Sequence, residues 1–572
     1  MGLAMMSCDD FLDKSPLDQI PNDNAYWSTA ANVETQTNRL YNNILGYGNG
    51  GSYGSFYFNF LNDDQASPSF ANWTYINVPA KSTNWNAPFE QIRGCNYIIG
   101  GVRAGGMAEN DKKKYEGIAR FMRAYQYYLL VRDYGDVQWI NTPTGTSDTE
   151  VIYGARTDRD IVMDSVLNDI NYAVATIGDG ASKTRWSSAA AAALKAEICL
   201  YEGTFCKYRS TADKQKAPDA SRSEKFLNEV VNAYNFVKSK GYTLNQEYGT
   251  IYNSLDLSKN NEVIMCKAYS QPEASFGHGT IAYTNSTTVM SGMNKDAFDS
   301  FLFLDGKPLA TTSLDKFDGV EMKPSKVEGV PGLVPSIEKA LSTRDKRLSV
   351  LVDDGLGFGN IFWTRYAGSP KMLSSTGYVV HKFYTPELSN YNLMTIGQNT
   401  TQAPIFYLAP VLLAYAEAKA ELGTISQADF DETVNALNAR GGIPAMTITP
   451  EADPANTTGI SNLLWEIRRC RRCELMFDNF RFYDLVRWHW LDRLDSSKNP
   501  NIFLGANIKD LDISKFNEGD VKTLGATVEG DYIRVTPKMT RVYGADGYKY
   551  YLLPIPQGQL GLNENLTQNP GW

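Results

Sequence analysis

The sequence contains few residues of the kinds that carry catalysis or hold metal ions. Its 572 residues include three histidines, and these follow no spacing typical of a metal site. It has neither a GxSxG nucleophile motif nor a phosphate-binding glycine loop. Seven cysteines without regular spacing argue against a disulfide framework and indicate buried thiols. We therefore predict no catalytic residue, no metal and no cofactor.

The sequence is also short of basic charge and of long apolar runs. Lys and Arg number 55 against 64 Asp and Glu, so the formal net charge is -9. A nucleic-acid partner requires a basic surface that displaces counterions from phosphate, and we exclude such a partner. No stretch approaches the roughly 18 consecutive apolar residues of a membrane span. Any attachment to a membrane is therefore expected through a lipid.

Cys8 is the candidate for that lipid. It follows the short apolar stretch 3–7, which ends in a small residue, and it precedes Asp9 and Asp10. This pattern resembles the end of a lipoprotein signal peptide, although the charged start and most of the apolar core of such a peptide are missing. We interpret residues 1–8 as a lipoprotein signal remnant, with an ordinary exposed cysteine as the alternative.

Aromatic residues, by contrast, are abundant. The chain has 34 Tyr, 25 Phe and 10 Trp. Such rings pack a core and, in Tyr and Trp, keep a polar tip for hydrogen bonding. We expect most of them in the core, and we expect the exposed ones to suit neutral ligands that are rich in hydroxyl groups.

Apolar residues recur at steps of three and four in several segments that end at glycine, a pattern typical of amphipathic helices. We expect Thr157, Ser188, Ser223 and Ser461 to mark helix starts. Cys470 and Cys473 form a CxxC inside the last of these helices, where we expect no metal. The helices come in pairs and predict a mainly α fold with a tetratricopeptide-like scaffold, a generic α-bundle being the alternative. The segments are 112–134, 157–177, 188–205, 223–237, 410–422, 430–440 and a helix that begins near 461.

The rest of the chain is rich in Gly, Ser, Thr, Asn and Pro. We assign residues 9–248 and 405–499 to the helical scaffold. Residues 249–404 and 500–572 are interpreted as a loop-rich insertion with short strands and helices and a C-terminal segment, both packed on the scaffold. Residues 551–572 are rich in proline and asparagine, and two states are open to them: a frayed chain end, which composition alone favours, and an ordered, docked C-terminus. We expect the ordered form because the closing residues resemble those of a known family.

Two blocks carry a family resemblance. Residues 471–488, RRCELMFDNFRFYDLVRW, and the closing segment 551–572, from YLLPIP to NENLTQNPGW, resemble signatures of the SusD/RagB family. Asp478, Asn479, Glu564 and Trp572 depart from the residues usual in that family. The arginines and carboxylates of the first block predict a charge-paired structural network.

The resemblance implies a glycan-binding lipoprotein on the cell surface, anchored in the outer membrane by lipid. Such a protein captures oligosaccharide or polysaccharide and passes it to a SusC-like TonB-dependent transporter without performing chemistry. Two other functions stay open from the residues alone. A glycoside hydrolase needs a pair of carboxylates such as Asp63 and Asp64, and a helical-repeat scaffold also suits a protein-binding adaptor.

Two loops offer the flat aromatic faces and hydrogen-bonding side chains that a sugar site needs. Trp73 is the preferred stacking residue, and we expect its loss to abolish glycan binding without lowering the melting temperature. For some candidates a structural role is the alternative. Trp85 could pack in front of a helix at 89, Asp63 and Asp64 could cap a turn, and Arg365 could be an ordinary surface charge. The candidate glycan ligands are Asp63, Asp64, Asn72, Trp73, Tyr75 and Trp85 in the first loop and Trp363, Arg365 and Tyr366 in the second.

Overall fold

Long helices form the frame of this chain. The computed structural model describes residues 24–58, 61–68, 73, 76–270, 277–285, 291–324, 333–358, 361–362, 374–511, 527–536 and 540–572. The mainly α fold that the sequence predicts is confirmed. The helices of more than ten residues are α2 (Ala30–Tyr41), α3 (Thr83–Ala104), α4 (Glu109–Tyr134), α6 (Arg159–Thr176), α7 (Ser188–Tyr208), α8 (Ala220–Ser239), α14 (Leu408–Glu421) and α17 (Asn462–Glu474).

Shorter helices fill the connections and the loop-rich region. They are α1 (Asn24–Trp27), α5 (Thr149–Ile152), α9 (Thr280–Thr284), α10 (Lys295–Asp299), α11 (Glu338–Ser342), α12 (Leu348–Leu351), α13 (Asn390–Met394), α15 (Gln427–Phe430), α16 (Ala436–Arg440), α18 (Arg481–Arg487) and α19 (Gln557–Leu562). A π-helical turn, Asp431–Asn435, joins α15 to α16.

Side-chain caps mark the starts of α6, α7, α8 and α17, and they correct three of the four predicted starts. Ser461 caps α17 by accepting from the Leu464 backbone N–H, as expected. The caps of α6, α7 and α8 are instead Asp158, Ser187 and Asp219. An aspartate or serine with extended backbone, whose oxygen reaches a free N–H of the first turn, stabilises a helix start wherever sequence spacing allows several candidates.

Thr157, predicted to open α6, takes part in a short β-bridge instead. Its backbone N–H donates to the Val137 carbonyl at 3.0 Å, and its carbonyl accepts from the Val137 N–H at 3.2 Å. The capping role falls to the next residue, Asp158, whose side chain accepts from the Asp160 N–H.

Successive helices pack against one another in an array. Helix α3 lies on α4, α4 on α6, α6 on α7 and α7 on α8, while α14 packs on α7, α8 and α17. Buried alanines at 189–193 let α7 approach its neighbours closely. The array agrees with the predicted tetratricopeptide-like helix pairs. The exact division of the chain into scaffold and insertion stays a prediction.

Most of the short strands lie in the loop-rich region. Strands β2 and β9 pair antiparallel, and residues 263–267 and 403–407 thereby lie side by side near the two ends of the predicted insertion. A five-stranded sheet contains β4, β5, β6, β7 and β8, a three-stranded sheet contains β10, β12 and β11, and β1 pairs with β3. The strands are β1 (Gln65–Ala66), β2 (Val263–Lys267), β3 (Gly292–Met293), β4 (Glu321–Pro324), β5 (Leu333–Ser336), β6 (Val352–Phe358), β7 (Ile361–Phe362), β8 (Gly377–Val380), β9 (Ala403–Tyr407), β10 (Leu504–Asn507), β11 (Thr527–Glu529) and β12 (Tyr532–Arg534).

Within the described ranges, no helix combines the length and the apolar character that crossing a membrane requires.

The C-terminal segment docks on the helical array, as its family resemblance predicts. The Leu553 N–H donates to the Asp133 carbonyl at 2.7 Å, at the end of α4. Asn569 is 3% exposed, and its side-chain amide donates to the carbonyls of Tyr134 (3.0 Å) and Leu553 (2.7 Å). Its Oδ1 accepts from Arg156 at 2.7 Å. Asn569 thus joins the C-terminal segment to the end of α4 and to Arg156, which precedes α6.

Replacing Asn569 with Ala should lower the free energy of unfolding by about 2–3 kcal/mol, because two backbone carbonyls and one guanidinium lose a buried partner. Asn565→Ala is the matched control, since its amide donates to the Tyr153 carbonyl at an exposed position. Thermal unfolding followed by circular dichroism measures both. Equal melting temperatures for the two variants would contradict a docking role for Asn569.

Candidate functional site

Asp63, predicted as a glycan ligand, lies in the interior. Its side chain is fully buried, and its two oxygens accept from Arg481 Nε (2.6 Å) and Nη2 (2.7 Å). Burial alone would raise the pKa of Asp63, but the guanidinium groups of Arg472 and Arg481 hold it well below its usual range. This carboxylate is occupied by ion pairing in the structure.

Asp64 is also buried and paired with an arginine. Arg472 donates from Nε to its Oδ1 at 2.7 Å and from Nη2 to Asp296 at 2.7 Å. Burial raises the pKa of Asp64. That either aspartate contacts a sugar stays a prediction, and the burial of both favours a role in packing.

The two tryptophans of the first loop are also buried. Trp73 is 8% exposed, its ring stacks on Tyr550 at 4.1 Å, and its Nε1 donates to the Val542 carbonyl at 2.9 Å. Trp85 is 3% exposed and meets Tyr134 edge to face at 5.0 Å. Trp85 lies inside the first turn of α3 and not before a helix that starts at 89, which corrects the predicted helix start. The burial of Trp85 corresponds to its packing alternative, and the burial of Trp73 likewise favours a role in packing.

The remaining candidates fall outside the described residues, and their predicted roles are neither supported nor opposed by the structure. They are Cys8, Asn72, Tyr75, Trp363, Arg365 and Tyr366.

A glycine-rich loop that the sequence analysis did not single out presents an exposed ring. Gly46, Gly48 and Gly50 have φ of 55°, 102° and 53°, which only glycine adopts readily. A Cβ on Gly48 would lie 2.3 Å from the Ser52 carbonyl oxygen. The loop therefore folds tightly back on itself, and Tyr53 at its tip is 47% exposed.

Tyr47 anchors this loop to the core. Its hydroxyl donates to the Tyr252 carbonyl at 2.8 Å, and its backbone N–H donates to the Tyr269 hydroxyl at 2.8 Å. Its carbonyl accepts from the Thr280 hydroxyl at 2.9 Å. With 1% of its surface exposed, Tyr47 fixes the base of the loop and so the direction of its tip.

Three rings meet at the tip, and we refer to Tyr53, Phe58 and Tyr283 as the aromatic platform. Tyr53 stacks on Phe58 with 4.9 Å between centroids and 22° between planes. Tyr283 meets Tyr53 edge to face at 4.8 Å, and its hydroxyl donates to the Gly51 carbonyl at 2.8 Å. The contacts hold the exposed ring of Tyr53 in one orientation. Flat rings held in this way suit the apolar face of a sugar.

Backbone hydrogen bonds join the glycine-rich loop to residues 277–278, and these in turn to the segment 390–399, which we call the third segment. The Gly50 N–H donates to the Gly277 carbonyl at 2.8 Å, and the His278 N–H donates to the Asn399 carbonyl at 2.9 Å. Burial lowers the pKa of His278 to about 3, so its ring is neutral at neutral pH and serves packing and hydrogen bonding. Tyr391, on α13 of this third segment, is 68% exposed.

One group of possible metal ligands occurs among the described residues. Ligand atoms of Asp160, Glu202 and Cys206 lie within 4.8 Å of one another. Arg209 pairs with Asp160 at 2.8 Å, and Arg159 pairs with Glu202 at 2.6 Å. Burial raises the pKa of the Cys206 thiol, which disfavours the thiolate that binds metals. We assign the group to ion pairing.

Family models match most of the chain. The model described as "SusD family" matches residues 228–572, and the model described as "Starch-binding associating with outer membrane" matches residues 10–200. A SusD-like protein of Bacteroides ovatus is 28% identical over 212 residues, which are 35% of this chain and 37% of the relative. SusD-like protein P2 of Formosa agariphila is 29% identical over 130 residues, 22% of this chain and 25% of the relative. The matches thus span about a third and a quarter of these relatives.

Solved structures share the fold over nearly the whole length. A SusD-like carbohydrate binding protein of Bacteroides fragilis has a TM-score of 0.68 at 19% identity, with 95% of this chain and 100% of that chain covered. A laminarin binding SusD-like protein has a TM-score of 0.52 at 18% identity, with 95% and 99% covered. At these identities the likeness concerns the fold.

Asp63→Asn should lower the free energy of unfolding by about 3–5 kcal/mol at neutral pH, because it leaves the buried Arg481 without its charge partner. The depressed pKa of Asp63 stabilises the folded protein at pH values above the pKa of aspartate in the unfolded chain, which is about 4. This stabilisation is lost as the pH falls through the lower pKa of the folded state. The difference from the wild type should therefore shrink in acid. Asp546→Asn is the control, since Asp546 pairs with Lys549 at the surface. Chemical denaturation across pH values measures this, and an Asp63→Asn protein as stable as the control would contradict the assignment.

Trp73→Ala should lower the melting temperature, with a loss of about 3–5 kcal/mol, because a buried tryptophan leaves a cavity. Glycan binding measured well below that temperature should persist. The opposite result, an unchanged melting temperature with binding lost, would restore the role that the sequence predicts for Trp73.

Proposed function

Since the chain belongs to the SusD family, we propose that it captures oligosaccharide or polysaccharide at the cell surface and delivers it, chemically unchanged, to a SusC-like TonB-dependent transporter. The family match covers residues 228–572, more than half of the chain.

The observation that carries the proposal is the aromatic platform. Tyr53 is nearly half exposed although two other rings pack against it, and an exposed, oriented ring is what a sugar face requires. Its hydroxyl adds a hydrogen-bonding group at the ring edge. We therefore propose Tyr53, with Phe58 and Tyr283 behind it, as a glycan contact.

Related proteins support the chemical class of the ligand. The Bacteroides fragilis neighbour is named a carbohydrate binding protein, and another neighbour is named laminarin binding. The model that matches residues 10–200 is described as starch-binding. These names support a carbohydrate ligand for this chain, and they leave its linkage and length open.

Asn72, Tyr75, Trp363, Arg365 and Tyr366 remain proposed glycan contacts. Their residue types match the needs of a sugar site, with rings for stacking and amide or guanidinium groups for hydroxyls.

The surroundings of Asp63 and Asp64 support a binding role without catalysis. Hydrolysis of a glycosidic bond needs one protonated and one ionised carboxyl group that both face the substrate. The adjacent pair Asp63 and Asp64 is buried and bound to Arg481 and Arg472, so this pair does not support the hydrolase alternative.

Attachment to the outer membrane is proposed through acylation of Cys8. The description "associating with outer membrane" of the model that matches residues 10–200 supports the location. A single acyl chain binds a membrane weakly, so contact with the transporter would add to the attachment.

Tyr53→Ala should weaken binding to a polysaccharide by roughly tenfold, whereas Tyr53→Phe should retain most of it, because the stacking face is kept. Tyr153→Ala is a matched control, since Tyr153 is also 47% exposed but lies after α5. Native gels cast with starch, laminarin or other polysaccharides measure the retardation of each variant.

Equal retardation of the Tyr53→Ala and Tyr153→Ala proteins would contradict the platform as the binding site. Incubation with the bound glycan tests the second part of the proposal, since release of reducing ends would show hydrolysis and contradict transfer without chemistry.

A further inference from the structure

A cleft lies within the helical scaffold. It has a volume of about 640 Å³ and extends between α3, α4, α7, β9 and residues 478–487, which include α18. Sites for small molecules commonly have about 300–1,000 Å³. Tyr53, Phe58 and Tyr283 do not line it. The cleft is therefore a cavity distinct from the aromatic platform.

The walls of the cleft combine rings with amides. Tyr125, Phe406 and Phe480 are half-buried and contribute aromatic surface, and Leu129 adds an aliphatic side chain. Exposed asparagines, Asn42 and Asn84 among them, also line it. Rings beside hydrogen-bonding amides suit a ligand with both apolar faces and hydroxyl groups.

The charges along the cleft are compensated by their neighbours. Asp484 accepts from Arg471 Nε at 2.9 Å and from Arg487 Nε at 2.8 Å. Asp478 pairs with the buried Lys382 at 2.6 Å. Because each of these carboxylates is paired with a cation at hydrogen-bonding distance, the wall of the cleft carries little net charge. A strongly charged ligand would therefore find no unpaired group of opposite charge there.

Glu197 is the exception. Among the described residues it forms no ion pair; Arg132 and Arg471 act on it from farther away, and the Tyr128 side chain, which also lines the cleft, hydrogen-bonds to it. Burial raises the pKa of this carboxyl group. Glu197 lines the cleft, so it offers oxygen atoms to hydroxyl groups of a ligand inside.

From the volume, the aromatic and amide walls, the compensated charges and the carboxyl group of Glu197, we infer that the cleft binds a neutral, polyhydroxylated small molecule of the size of one to three sugar rings. This second site goes beyond the proposed function and does not depend on the platform.

Plugging the cleft tests the inference. Leu129→Trp fills it from α4, and Ala87→Trp fills it from α3; both original side chains line the cleft and are half-buried. Leu255→Trp is the control, since Leu255 is 39% exposed and does not line the cleft. The probes are glucose, maltose, maltotriose and laminaribiose, titrated by isothermal calorimetry into the full chain, with melting temperatures recorded for every variant.

We expect at least one probe to bind the Tyr53→Ala protein, and each plugging substitution added to that protein should weaken this binding at least tenfold. Leu255→Trp should leave it unchanged. Glu197→Gln should weaken it less than the plugs. The affinity should stay constant between about 50 and about 500 mM sodium chloride, because a neutral ligand is not screened. If one plugged variant does not fold, the other decides.

Three results would overturn the inference. They are no binding of any probe to the wild type or to the Tyr53→Ala protein, binding that survives both plugs, and an affinity that falls with salt, which would indicate a charged ligand such as a basic peptide. Failure of the proposed function is a separate result, since it appears as polysaccharide retardation that Tyr53→Ala does not change.

Discussion

Burying an arginine is costly unless carboxylates lie against it, and ion pairs of buried arginines tie distant parts of the chain together. Arg481 meets Asp63 across 418 residues of sequence, Arg347 meets Glu474 across 127, and Arg487 meets Glu417 across 70. These guanidinium groups are at most 9% exposed. Any large displacement of one segment would leave a buried charge unpaired at a cost of several kcal/mol. The network therefore fixes the first loop, the loop-rich region and the helical array relative to one another.

A fixed scaffold has a consequence for the surface loops. The base of the glycine-rich loop is held by Tyr47 in the core, while Tyr53 at its tip stays exposed. Binding groups on loops that a rigid scaffold positions lose little conformational entropy when a ligand arrives. The same loop lines the cleft with Ser55 and Phe56. Two surfaces of different character thus share one short segment.

Local patterns predicted what depends on local physics. The apolar period of α4 and the cap at Ser461 follow from contacts within one helix, and both agree with the structure. The caps of α6, α7 and α8 lie one to four residues from the predicted positions, because several side chains near each start can accept the same N–H groups. The glycine-rich segment 46–54 with its tyrosines was a signal for the platform, but nothing within it tells which tyrosine is buried.

The sequence by itself determined the helical class and the charge-paired character of the arginine-rich block, since periodicity and alternating charge are written in neighbouring residues. The composition of residues 551–572 alone favours a frayed chain end, and their docking is predicted by the family resemblance. Only the tertiary structure decided that Asp63 and Asp64 face arginines and that Trp73 stacks on Tyr550. It also decided that Tyr53 remains exposed. Burial is set by residues hundreds of positions away, so an aromatic or acidic residue in a polar loop has the same local sequence whether it binds a ligand or closes the core.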